Sequence, residues 1–262
     1  MNHDIALSPA RARFLGRWVG LLFLITYATS IPALLLFDPV LNDAHYVTSA
    51  GADMQIQFAA LLEFILIVAN IGSAVMLYPL MRRCFPAGAV GFVAARITES
   101  VFIGVGILSV LSVVSLRASG SEGAALPVVA QALVAVKNWS FQFGPGFVVP
   151  IGNGMLLGWM MYRSGMMPRR LAMLGLVGGP VLFAASTGIL FGVLDKGDPL
   201  YAIGVAPEFV WELALGVYLT ATGGRVAGLV DRDTVPAAAP AAALAAAPNT
   251  GARRNEIVAV VG

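Results

Sequence analysis

Between Ala89 and Leu116 runs an apolar stretch too long for a surface helix, and it carries Arg96-Ile97-Thr98-Glu99 inside it. Charges at membrane depth are costly, so a chain that keeps them needs partners or a task for them. Composition says that membrane depth is the right frame. Hydrophobic residues make up 58% of the chain and charged residues 11%, with a mean hydropathy of +0.84, whereas soluble domains carry about 25% charged residues. The expected class is an all-α, polytopic membrane bundle, with the lipid bilayer as its main partner. The net charge of +2 implies no nucleic-acid partner, because the basic residues are divided between membrane sides and form no patch. The single cysteine, Cys84, excludes an internal disulfide and a multi-cysteine metal site.

Six apolar runs follow one another. After a polar amino-terminal segment, residues 1–17, with Arg11, Arg13 and Arg17, the first run spans Trp18 to Phe37. A signal peptide's apolar region is about 7–15 residues long, so this longer run is read as a retained first span. The others are Ile56 to Met81, Ala89 to Leu116, Phe141 to Tyr162, Leu171 to Val193 (with Pro180 as a kink) and Ile203 to Thr222. The spans thus occupy residues 18–222. Residues 223–262 are Ala/Pro-rich and expected to be a disordered tail. The apolar segment 124–136 is too short to cross, and is either an interfacial helix or part of the fourth span. Lys137-Asn138-Trp139 reads as an anchor at headgroup level. Twelve of the sixteen basic residues fall on one side, which by the positive-inside rule places both termini in the cytoplasm.

Helical spacing gathers the intramembrane polar groups into stripes. Glu63, Ile67, Asn70 and Ala74 share one face of the second run, and Glu208, Glu212, Gly216 and Thr220 one face of the sixth. Such stripes turn away from lipid. The candidate site is therefore Glu63, Asn70, Arg96, Glu99 and Glu212, converging inside the bundle; Glu208 lies near enough to the outer surface to be solvated. Arg96 and Glu99, three residues apart, can neutralise each other as a packing device. The alternative is a proton or cation relay through the glutamates. Glycines Gly144, Gly146, Gly152, Gly154 and Gly158, with Asn153 among them, mark close helix packing, as does Gly175-x-x-x-Gly179. In a less favoured reading Gly144 to Gly146 break the helix toward a ligand. No nucleophile elbow, phosphate loop or zinc motif is present. His45 with Asp38, Asp43 and Asp53 reads as a solvated loop, so neither a metal nor another cofactor is expected.

The ordered set of motifs resembles the bacterial membrane family catalogued as domain of unknown function 4386, over roughly Arg13 to Gly223. It rests on Arg13-x-x-Gly16, Arg96-x-x-Glu99, Gly144-Pro-Gly, Gly152-Asn-Gly, Tyr162-Arg-Ser-Gly165, Met167-Pro168-Arg169-Arg170, Gly178-Gly-Pro180 and Glu212-Leu. Val217-Tyr218-Leu219 departs mildly from the tryptophan-leucine pair frequent in relatives. The resemblance implies a six-helix protein of the bacterial inner membrane with no established activity. Two functions stay open: a small transporter or proton-coupled carrier for a small solute, and a non-catalytic scaffold or regulatory subunit whose charges fix packing. An intramembrane enzyme ranks behind both.

Overall fold

The computed structural model describes residues 8–43, 45–49, 51–120, 123 and 125–226. The expected tail lies outside them from residue 227 on. Among the described residues the chain is helical throughout, with no strand. Helix α1 spans Pro9–Leu36, the short α2 Asp38–Asn42, α3 Asp53–Met81 and α4 Pro86–Ala118. Then α5 (Ala125–Phe143) passes without a break through two π-helical segments, Gly144–Val148 and Pro150–Leu157, into α6 (Gly158–Ser164). Helices α7 (Arg169–Leu190) and α8 (Pro199–Thr222) complete the chain. Five of these, α1, α3, α4, α7 and α8, are long and apolar enough to cross a membrane. Their outward faces carry large apolar side chains such as Leu35, Phe64, Leu108 and Ile203, as lipid contact requires. The protein is a membrane protein.

Local signals set the helix ends. Ser8 and Asp198 accept backbone N–H groups at the starts of α1 and α8, each followed by proline at the first helical position. Gly165 and Gly223 end α6 and α8 in the left-handed conformation, φ 67° and 73°. The segment 125–136 belongs to the same continuous helical run as Phe141 to Tyr162. That run continues past Pro145 and Pro150 because the backbone widens to i→i+5 bonding there, as from Val149 N–H to the Gly144 carbonyl. Gly144 to Gly146 thus widen the helix without breaking it.

The helices form a closed ring in the order α1, α3, α4, α5–α6, α7, α8 and back to α1. We call the end where α1 begins and α8 finishes the near end, and the opposite one the far end. Glycines set the close crossings. A Cβ on Gly20 would lie 2.3 Å from the Thr220 nitrogen, and one on Gly154 would lie 2.5 Å from Gly179 Cα. Gly158 sits beside Gly175, so the Gly154/Gly158 and Gly175/Gly179 pairs form one seam. Pro180 lies within α7, which stays helical through it.

Two apolar clusters fill the ring. The near-end cluster includes Phe23, Leu77, Phe92, Leu157, Met160, Trp211 and Leu215. The far-end cluster includes Phe37, Tyr46, Val47, Ile56, Val110 and Val113. The far-end connector is tied to the end of α4 by Arg117, which pairs with Asp53 and donates from Nε to the Ser49 carbonyl (2.8 Å). Tyr46 donates to Asp53 at 2.8 Å. Asp43 caps the His45 N–H, and Asp38 accepts from Asn42. Each aspartate of this loop therefore has a local hydrogen-bonding role.

Candidate functional site

Between the two apolar clusters lies a polar layer around a cavity of about 450 Å³. Three groups of side chains build it. The first joins α3 and α4. Arg96 donates from Nη1 to Glu99 Oε2 (2.9 Å) and Asn70 Oδ1 (3.2 Å), while Asn70 Nδ2 donates to Glu99 Oε1 (3.0 Å). The triangle is closed, and all three side chains are buried. The guanidinium also lies over the Phe23 and Phe92 rings, 4.7 and 5.6 Å from their centroids. Its Nε and Nη2 carry no hydrogen-bond partner among the described residues.

The second group joins α3 and α5. Lys137 Nζ lies 2.6 Å from both carboxylate oxygens of Glu63 and 4.5 Å from the centre of the Phe37 ring. Lys137 is no headgroup anchor: it is buried. The physical reason is that α5 starts at Ala125, which places Lys137 more than three turns inside the helix. Gly106 on α4 supplies the space, since a Cβ there would meet Lys137 Cδ at 2.9 Å. The sequence held a usable signal for this: Ala130, Lys137 and Gly144 recur every seven residues and share one face.

The third group joins α8 to the π-helical segment. Asn153 donates from Nδ2 to Glu212, and its backbone carbonyl accepts from Trp211 Nε1 at 3.0 Å. Asn153, expected as a packing residue, thus also holds α8 through hydrogen bonds. Glu208, one turn away, departs from expectation. It is 2% exposed, not solvated, and neither carboxyl oxygen has a hydrogen-bond partner among the described residues. Helix α8 begins at Pro199 and not at Ile203, which puts Glu208 about 13 Å below the helix start at 1.5 Å per residue. Its carboxyl packs where Gly154 and Gly178 have no side chain: a Cβ on either would stand 2.6 or 3.0 Å from Oε2.

Members of all three groups (Glu208 and Glu212 from the third) line the same cavity, together with Tyr27, Phe37, Phe141, Val205 and Phe209. The expected site residues therefore do not form one cluster. Asn70, Arg96 and Glu99 touch one another, Glu63 pairs with Lys137, and Glu212 binds Asn153. Of the glycines, Gly144 and Gly152 press on α4 at Phe102 and Ala95, and Gly146 lies beside Gln142 and Ser186. Lys196 in the α7–α8 loop also lines the cavity and reaches toward α5. Its Nζ lies 3.4 Å from the Asn138 carbonyl and 5.9 Å from the Phe141 ring centre. The residue is exposed as a whole, but desolvation of its ammonium holds the Lys196 pKa below the ordinary lysine value.

A family model matches residues 18–223, described as Domain of unknown function (DUF4386). The chain belongs to that family. No curated protein and no solved structure matches it. The DUF4386 segment contains the cavity, all three polar groups and the glycine seam.

Proposed function

We propose that this DUF4386 protein is a small-solute carrier of the bacterial inner membrane. It has six spans, the π-containing run 125–164 being the fourth. Both termini are cytoplasmic, because the basic residues of the described chain concentrate at the near end, among them Arg11, Arg82, Arg163 and Arg169. The observation that carries the reading is the cavity itself. Its volume falls within the usual range for small-ligand sites, about 300–1,000 Å³, and it reaches ionisable groups between two apolar clusters. The two ion pairs are internally matched, which favours a packing role for Arg96–Glu99–Asn70 and Glu63–Lys137. Glu208 has no such match. Two carboxylates on one turn of α8, with one hydrogen bond from Asn153 between them, call for a proton or a cationic group from the solute. Proton-coupled movement follows naturally from that requirement.

A carrier must expose one site to both sides. The test is a cysteine at Val149, deep in the cavity wall, in a Cys84→Ser background. It is probed with a membrane-impermeant thiol reagent in right-side-out and inside-out vesicles. Labelling from both sides is the expected result. Labelling from one side alone, or from neither, would overturn the carrier reading and leave a scaffold.

A further inference from the structure

Resting on the carrier reading, we infer that the cavity takes an organic ammonium ion, bound through its positive charge by Glu208 and Glu212 and through its apolar body by aromatic rings. Three independent observations converge. Glu208 is buried against glycine backbone with both oxygens unpartnered, and it lines the cavity. Burying a carboxyl without a partner is unfavourable, and a cation in the cavity beside it would supply the missing countercharge. Glu212 lies four residues on, on the same face, and accepts a hydrogen bond from the neutral Asn153 amide. The cavity walls also carry Tyr27, Phe37, Phe141 and Phe209. Two of these rings already face ammonium groups of the protein itself, Phe37 facing Lys137 and Phe141 facing Lys196. Such faces attract cations, most strongly when water is excluded. An anion would meet the surplus carboxylates of α8, while the charge of Arg96 is already neutralised by Glu99 and its remaining guanidinium lies over the Phe23 and Phe92 rings. Lys196 is an exposed resident cation in the cavity lining, so its removal strengthens cation binding.

Calorimetry on the full-length protein in detergent tests this with three probes that share a phenyl ring: benzyltrimethylammonium, benzyl alcohol and phenylacetate. The fixed-charge cation is expected to bind at least tenfold more tightly than the alcohol, and phenylacetate not to bind. Glu208→Gln and Glu212→Gln, which keep side-chain size, should each weaken the cation at least tenfold without changing benzyl alcohol binding, and Lys196→Gln should tighten it. Unchanged alcohol binding shows that the variants are folded. Equal binding of cation and alcohol, a preference for phenylacetate, or wild-type cation affinity in both glutamine variants would overturn the inference. So would failure of all three probes to bind. The Val149 cysteine result separates the two ideas: labelling from both sides without cation binding leaves a carrier of some other solute.

Discussion

Replacing Lys137 by methionine leaves Glu63 buried without its cation, and the structure sets the size of the effect. At 2.6 Å and an effective dielectric of 20, the Coulomb attraction is about 6 kcal/mol. Desolvation offsets part of it, and breaking a buried pair from one side typically costs about 3–5 kcal/mol. For a chain of this size that corresponds to a fall in Tm of about 10 °C. Glu63→Leu should cost less, because the ammonium keeps the Phe37 ring, a contact of about 2 kcal/mol when desolvated. The double variant Glu63→Leu/Lys137→Met places two apolar side chains together and should return to within about 1 kcal/mol of wild type. Thermal unfolding in detergent of the four proteins closes the cycle. A double variant that loses as much as the two single variants combined would refute the reasoning, because the pair would then be uncoupled.

Further expectations concern the other layers. Gly179→Ala should cost about 1–3 kcal/mol, since its Cβ would stand 2.6 Å from the Pro150 carbonyl. In contrast, Gly104→Ala meets nothing closer than 3.9 Å and should stabilise by up to about 1 kcal/mol; melting curves of both variants check the seam. Arg96→Gln and Glu99→Gln should each cost about 3–5 kcal/mol, the second because the amide nitrogen that replaces Oε2 cannot accept from Arg96; a loss under about 1 kcal/mol in either would count against the triangle. Burial, with the Asp53 carboxylate beside it, raises the Tyr46 pKa above its ordinary value. The stability this phenol contributes is therefore present in full below about pH 10 and is lost as pH rises beyond it toward the folded pKa. Tyr46→Phe should remove that alkaline slope, as seen in the difference between wild-type and variant stability against pH.

The helices were legible because each apolar run is long and its ends carry proline, glycine or arginine. The stripes were legible too: Glu63, Asn70 and Glu208 all face inward, as their spacing requires. Two features were not. A helix expected to start at Phe141 hid the depth of Lys137, because only i→i+5 winding carries the backbone through Gly144-Pro145-Gly146 without a break. From sequence alone Glu208 lies too near the surface, because Pro199 reads as loop, although Asp198 and Pro199 together form a helix start. Which polar groups meet is a further matter. Spacing gives a residue's face, but only the ring order of the helices decides that Glu63 meets Lys137 and Glu212 meets Asn153.

The pairing of Glu63 with Lys137 spans 74 residues, and this has a consequence in time. A chain grows at about 5–20 residues per second, so Glu63 is synthesised roughly 4 to 15 s before its lysine. Arg96 is spared such a wait, because Glu99 follows on the same helix and Asn70 precedes it. Glu63 must spend that interval in a partner helix's company, in water at the insertion machinery, or protonated in lipid. The order of the helices along the chain thus imposes a wait on two residues that end 2.6 Å apart.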